Sequence, residues 1–484
     1  MIAYLCIYLG SLVLATLTTP VVIAVARRTG AVDRPGVRTV HERPTPRIGG
    51  VAIFLSAIVL IGSVIFLNNS IGEAFRDSHP QILAILAAAT AIFAIGLVDD
   101  LRGLPARAKL LAELAGAVGL CLAGVRISEI QVTGDWTVSL GAWGYVVTLL
   151  WIVGITNAVN LSDGLDGLAA GVSAVACGVI AIFAAFSGNT VMVVFMLALL
   201  GGLCGFLVFN FNPAKIFMGD CGSLFVGFTI AAASVMCMTK SAAIVGLALP
   251  SLALGIPIFD TLCAMLRRFL ARRSLFAPDR SHFHHRLLDL GLTQRHAVIA
   301  IYLATLLATG MGMFMMISRD GTALVIFACV LLLIALLFQG IGEIRLGETV
   351  ARLQAKYADS RDHRNEQRTF EYLQLRFGQA QGFSQWWNAI CEAADSMSFA
   401  SVSLKTTYAD GRRDEEIWRA NRVRPDLPRI ITMTIPMDHG GDVSRQFEIA
   451  VCTNGSIEAA SRRATLFGRL LDEYNPQPVA ARQA

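Results

Sequence analysis

The chain has 484 residues, 55% of them hydrophobic and only 15% charged, with a net charge of +5 and a mean hydropathy of +0.60. This balance excludes a soluble globular protein and argues against a nucleic-acid partner; it describes a polytopic membrane protein in a lipid bilayer. Residues 341–484 hold 19 of the 40 Lys and Arg, so an apolar body precedes a polar tail.

Eleven apolar runs are predicted to be membrane helices: 4–26, 48–67, 81–98, 109–125, 142–159, 168–187, 190–209, 223–239, 242–266, 297–317 and 322–340. The first is not a cleaved signal peptide, because no basic residue precedes it and Arg27-Arg28 follow it. Loops 27–47, 99–109, 210–222 and 267–296 carry six, three, one and seven Lys or Arg, whereas the four opposite loops carry one each. The rich side is read as cytoplasmic, which puts the N-terminus outside and the tail inside. The ten cysteines form no C-x-x-C pair and read as small core residues.

The first cytoplasmic loop closes with Thr45-Pro46-Arg47-Ile48-Gly49-Gly50. Its basic residues serve either orientation alone or an anionic ligand held against backbone N–H groups at a helix start. The third run ends in Asp99-Asp100, with Arg107 and Lys109 close behind. Adjacent carboxylates repel, which raises a pKa or recruits a cation, and acid beside base suits a divalent cation with phosphate. The plainer readings are a helix cap in a positive-inside loop and an i,i+4 pair of Lys109 with Glu113. The outward loop 126–141 alternates apolar and polar residues around Gly134-Asp135 and predicts a β-hairpin.

The stretch from Asn157 to Leu168 places amides and carboxylates between two apolar runs, where hydrocarbon would make them costly. If helical, Asn157, Asn160 and Asp163 succeed each other at i+3, as do Asp163 and Asp166. The inward loop from Phe209 to Ser223 presents Asp220 between glycines, just ahead of an apolar helix. A cation on the carboxylate and a phosphate at the helix start fit that geometry. Phe217 there either stacks on a base or anchors in lipid. The last inward loop ends in Pro278-Asp279-Arg280-Ser281-His282-Phe283-His284-His285-Arg286. Zinc is one reading, but the arginines and the lack of clustered cysteines favour phosphate and sugar contacts. Asp260, inside the preceding apolar run, is expected to pair with Arg267 or Arg268.

Asp99-Asp100, N-x-x-D-G-x-D-G-L at 160–168, F-N-x-x-P-A-K-x-F-x-G-D at 209–220 and His282-x-His284-His285 occur in this order. The set resembles the polyprenyl-phosphate N-acetylhexosamine-1-phosphate transferases over residues 1–340, a family that includes the peptidoglycan translocase. The final loop lacks three consecutive histidines and looks like the UDP-GlcNAc branch, as does Pro257-Ile258-Phe259-Asp260-Thr261. That branch has eleven membrane helices with the active site inside.

The resemblance implies transfer of a sugar 1-phosphate from UDP-N-acetylglucosamine (or its C4 epimer) to undecaprenyl phosphate, with UMP released and Mg²⁺, or Mn²⁺ in its place, required. It implies Asn160 and Asp220 as metal ligands, Asp99 and Asp100 as the acidic pair, and Asp163 and Asp166 as substrate-positioning carboxylates. Lys109, Arg280, His282, His284 and His285 are implied as phosphate and sugar contacts, Asn210 and Phe217 as nucleotide contacts. A lipid phosphate is largely a dianion at neutral pH and needs no strong base to attack, so Asp99 or Asp100 serves metal and orientation. A covalent aspartyl-phosphate is the alternative. Transfer from the MurNAc-pentapeptide nucleotide is a second reading of the family. A lipid-linked-sugar transporter is a competing class, but it would place carboxylates at the bilayer midplane rather than at cytoplasmic helix ends.

The tail lies outside this resemblance. Residues 341–395 read as a helical linker, and 396–484 as a small α+β domain with strands at 399–408, 429–437 and 445–453 and a closing helix at 456–474. It distantly resembles GAF-type sensory folds, shows no catalytic constellation, and suits dimerisation or a regulatory partner. The fold class is therefore an all-α polytopic membrane protein with a C-terminal soluble α+β domain.

Overall fold

The computed structural model describes residues 2–33, 44–131, 137–238, 243–270, 282–315, 322–340, 361, 364–408, 411–420, 430–437, 443–453 and 456–474. The chain divides into two compact units, residues 1–349 and 350–484. The first is helical: α1 (Ile2–Thr29), α2 (Gly50–Val64), α3 (Ser70–Asp77), α4 (His79–Arg102), α5 (Ala106–Leu122), α6 (Trp143–Leu161), α7 (Leu168–Phe186), α8 (Thr190–Asn210), α9 (Gly219–Met238), α10 (Ala243–Ala253), α11 (Gly255–Leu270), α12 (Phe283–Asp289), α13 (Gln294–Met315) and α14 (Thr322–Gly340).

Among the described residues, seven of these helices (α1, α4, α6, α7, α8, α9 and α13) are long and apolar enough to cross a membrane, and this is a multi-pass membrane protein. Helix α2 and residues 325–340 are shorter apolar helices. Every predicted apolar run carries a helix, but the run 242–266 is broken at Leu254 into α10 and α11, between Pro250 and Gly255. Helix α3 lies in a stretch read as loop. It is only eight residues long and starts on Asn69, whose Oδ1 accepts from the Ile71 and Gly72 N–H groups at 3.1 and 3.0 Å. The predicted outer hairpin is present as β3 (Glu129–Gln131) antiparallel to β4 (Thr137–Ser139). A second small pair joins β1 (Val32–Asp33) to β2 (Thr45–Pro46).

Helix α9 is the centre of the bundle, almost wholly buried against α4, α6, α2 and α7. Small residues let these backbones approach, which is how apolar helices associate when lipid is as greasy as their side chains. Gly50 lies on Gly222, Gly96 on Asp220 and Cys221, and Gly227 on Thr156. One turn deeper, Phe54 of α2 stacks on Phe93 of α4 at 3.9 Å, and Phe225 of α9 meets Phe54 edge-on at 5.2 Å. These contacts fix the starts of α2 and α9 beside the end of α4.

The second unit is a four-stranded antiparallel sheet with helices packed on one face. Its elements are α15 (364–378), α16 (Phe383–Ser396), β5 (Phe399–Tyr408), β6 (Arg413–Arg419), β7 (Ile430–Met437), β8 (Val443–Cys452) and α17 (Ile457–Glu473), with strand order β6-β5-β8-β7. Val402, Leu404, Phe447, Ile449 and Val451 point into a core shared with Phe370, Phe377, Trp386, Ile390 and Phe467. The described part of 341–395 is helical, and its buried residues Phe370, Phe377, Trp386 and Ile390 share the core of this unit. Strand β6, reading Arg-Asp-Glu-Glu-Ile-Trp-Arg, was not predicted; six of its seven residues are exposed, so no apolar alternation marks it.

Candidate active site

The site gathers where three helix ends meet. Helix α4 ends at Arg102, and the chain turns at Gly103 so that Leu104 N–H donates to Asp99 Oδ1. Lys109, in the first turn of α5, reaches back to Asp99 Oδ2 at 2.9 Å and across to Asp220 Oδ2 at 2.5 Å. Both carboxylates and the ammonium are partly buried, so the three charges are held at reduced dielectric. The anticipated Lys109–Glu113 pair is not formed. Glu113 is buried and accepts from Asn157 Nδ2, while Asn157 also donates to Val153 O at 2.9 Å.

Asp100 does not share Asp99's environment, since neighbours on a helix point about 100° apart. Its buried carboxylate accepts from the Asp220 N–H at 3.0 Å and the Cys221 N–H at 2.9 Å. It therefore holds the start of α9 from below, where exposed helix N–H groups favour an anion. The expected acidic pair thus takes different partners: Asp99 meets Lys109, and Asp100 meets the first N–H groups of α9. Gly219 (φ +73°) makes this possible, because a Cβ there would collide with Arg47 O and the Asp100 carboxylate.

Helix α6 ends at Leu161, so the i+3 spacing keeps only Asn157 and Asn160 on one helix. Asn160 Nδ2 donates to Ser223 Oγ at 2.9 Å, and Ser223 Oγ donates to Gly219 O at 3.0 Å. That uses an N–H of the Asn160 amide and leaves its Oδ1 as an acceptor. Asp163, in the turn that follows, has the Gly219 N–H nearby, which favours its charged form. Desolvation, then the nearby Asp220 and Asp100 carboxylates, push its carboxyl up to about 7. Asp166 faces another way: its Oδ2 accepts from Asn212 Nδ2 at 2.9 Å and the Ala214 N–H at 3.0 Å. Gly167 (φ +80°) then starts α7, its carbonyl taken by Tyr302 Oη at 2.5 Å.

Asn210 is buried at the end of α8, and its amide donates to Ile216 O at 2.8 Å, so it shapes the 211–216 loop from within. Phe217 is half-buried, with its N–H on Pro46 O and its carbonyl on the Gly49 N–H. His282 places Nδ1 3.2 Å from both oxygens of Asp260, which also accepts from the Phe283 N–H at 3.0 Å. Asp260, Phe283 and Ser162 line one pocket with Leu168, Val172 and Ile301, which sets this segment beside the 162–167 turn. His285 is half-buried on α12. Arg280 and the side chain of His284 lie outside the described residues.

Among the described residues no three His, Cys, Asp or Glu side chains converge as a closed metal set. Asn160 and Asp220, with Asp99 beside them, offer only hard oxygens. That donor set fits a cation which completes its shell with water and phosphate oxygens. Glu113, expected only as a partner of Lys109, instead joins this region through Asn157, and a carboxylate within an apolar run is itself a signal.

A bundle of apolar helices with helix ends converging on acidic, amide and lysine groups defines a multi-pass membrane protein with a polar site at one end of the bundle. Residues 82–238 match the profile described as glycosyl transferase family 4. A probable undecaprenyl-phosphate N-acetylglucosaminyl 1-phosphate transferase of Bacillus subtilis is 39% identical over 305 residues, covering 63% of this chain and 82% of that protein. A decaprenyl-phosphate N-acetylglucosaminephosphotransferase of Mycobacterium tuberculosis is also 39% identical, covering 57% and 74%. An undecaprenyl-phosphate alpha-N-acetylglucosaminyl 1-phosphate transferase of Escherichia coli is 29% identical, covering 60% and 77%. The chain belongs to glycosyl transferase family 4.

Proposed function

We propose that the protein transfers N-acetylglucosamine 1-phosphate from UDP-GlcNAc to undecaprenyl phosphate, releasing UMP, as the first membrane step of a cell-envelope polysaccharide. The observation that carries this reading is Lys109 bridging Asp99 and Asp220 beside Asn160, within a chain 39% identical to a relative bearing that activity in its name. In the reaction a phosphate oxygen of the lipid attacks the β-phosphorus of the nucleotide sugar. A P–O bond forms as the bond between the two phosphates breaks, and UMP leaves.

Phosphoryl transfer of this kind depends on positioning and on charge neutralisation. Lys109 holds Asp99 and Asp220 in register, and Asp100 keeps the start of α9 where Asp220 faces the site. Mg²⁺, or Mn²⁺, held by Asp220 and Asn160 with Asp99 alongside, would neutralise the diphosphate. Asp163 and the 280–285 segment would orient the sugar and phosphates, and Asp166 with Asn210 would shape the loop carrying Phe217 toward the nucleotide. All eleven apolar runs are taken to lie in the inner membrane, with the site and the tail in the cytoplasm and the N-terminus outside.

The test is UMP release by purified protein given UDP-GlcNAc and undecaprenyl phosphate, with and without a chelator. Chelator-sensitive release that Asp220→Ala and Asn160→Ala abolish in folded protein is expected. Full activity in either variant would move the metal elsewhere, and no UMP from any sugar nucleotide would sink the enzyme reading.

A further inference from the structure

The segment 45–50 is a motif that the reaction above leaves without a role. It runs beside the loop that delivers Asp220. Phe217 N–H donates to Pro46 O at 2.8 Å, Gly49 N–H to Phe217 O at 2.9 Å, and Gly50 N–H to Met218 O at 2.8 Å. Arg47 is pinned in the middle. Its N–H donates to Ala31 O at 3.2 Å, and its carbonyl packs on Gly219, the residue before Asp220 and in contact with the Asp100 carboxylate.

The Arg47 side chain is half-buried, and its Nε is closed to solvent with no hydrogen-bond partner. Among the described residues its guanidinium forms no ion pair, although four carboxylates surround the same helix start. Three of those carboxylates are already engaged: Asp99 and Asp220 by Lys109, and Asp100 by two N–H groups of α9. An arginine kept only to orient a loop needs no enclosure, and this one is enclosed. A half-buried guanidinium with an unused donor is suited to a planar or tetrahedral oxyanion.

We propose that Arg47 binds a phosphate oxygen of a substrate in this site, either the phosphomonoester of the lipid acceptor or the diphosphate of the sugar nucleotide. The inference rests on the phosphosugar-transfer reading above and adds a binding residue to it.

The experiment compares parent, Arg47→Gln and Arg47→Lys in detergent, with KM measured separately for undecaprenyl phosphate and for UDP-GlcNAc. Thermal unfolding of each purified protein reports the fold. Loss of one charge-assisted hydrogen bond should raise one KM by about tenfold or more in Arg47→Gln, with partial recovery in Arg47→Lys. A raised acceptor KM assigns the lipid phosphate and a raised nucleotide KM assigns the diphosphate; either supports the proposal. Both KM values within about twofold of the parent overturn it. If Arg47→Gln does not fold, Arg47→Lys decides alone by the same criterion, since Lys keeps the charge but not the fork. Calorimetric binding of farnesyl phosphate and of UDP to the same proteins separates the two readings. If the parent binds either ligand yet transfers nothing, the transferase reading fails while Arg47 is still judged by the affinity lost in the variants. Equal affinities, or no binding by the parent, overturn the role of Arg47.

Discussion

Lys109 Nζ lies 2.5 Å from the Asp220 carboxylate, 111 residues further along the chain, and 2.9 Å from Asp99 on the helix before it. One ammonium thereby ties the end of α4 and the starts of α5 and α9 into a single charged junction. Lys109→Met should leave two carboxylates facing each other uncompensated. We expect kcat to fall by about 100-fold or more, the scale seen when a preorganised electrostatic group is removed, while the helical CD spectrum is unchanged. Activity within a few-fold of the parent would mean the junction is only structural.

Asp100 is expected to act through the fold. Asp100→Ala removes the acceptor for two N–H groups at the start of α9 and should cost about 1–2 kcal/mol, read as a lowered thermal midpoint in detergent. Asp100→Asn retains one good acceptor and should lose less. An Asp100→Ala protein with an unchanged midpoint and no activity would place Asp100 on the substrate instead.

Asp163 supplies a pH dependence. Its carboxyl releases its proton near 3.8 when unfolded and near 7 in the fold, so between these values the folded state holds the extra proton. The contribution of this group to stability is therefore greatest below about pH 4, falls as pH rises toward 7, and is level above. In chelator-treated protein, Asp163→Asn should flatten the decline of the thermal midpoint across that window. A decline of the same slope in the variant would assign it to another group.

Much of this site is legible along the chain because its carboxylates interrupt apolar runs, and a run of apolar residues that ends in Asp99 or begins after Asp220 places the charge at a helix end by length alone. What was not legible is which partner each group takes. Nothing local says that Asp100 caps a helix 120 residues later, or that Glu113 turns from Lys109 toward Asn157; both choices are made by the packing of α4, α5, α6 and α9. The break at Leu254 was hidden by uninterrupted hydropathy. Strand β6 was hidden for the opposite reason, since an exposed edge strand of charged residues carries no period to read.

The tail is expected to be dispensable for chemistry. The second unit has its own core, and the described site residues all lie in the first. Protein ended after Glu348 should keep kcat within about twofold in detergent. A collapse of kcat in truncated protein that still inserts and folds would make the tail part of the site.

Whether a phosphosugar or the sugar alone is transferred is decided by the fate of one phosphorus atom. Purified protein should be given UDP-GlcNAc labelled with ³²P at the β-phosphate, undecaprenyl phosphate and Mg²⁺, and the products extracted into organic solvent. The label should enter the lipid fraction as a diphosphate while unlabelled UMP stays in water. Label that remains in the aqueous phase as UDP, with sugar on the lipid, would contradict it.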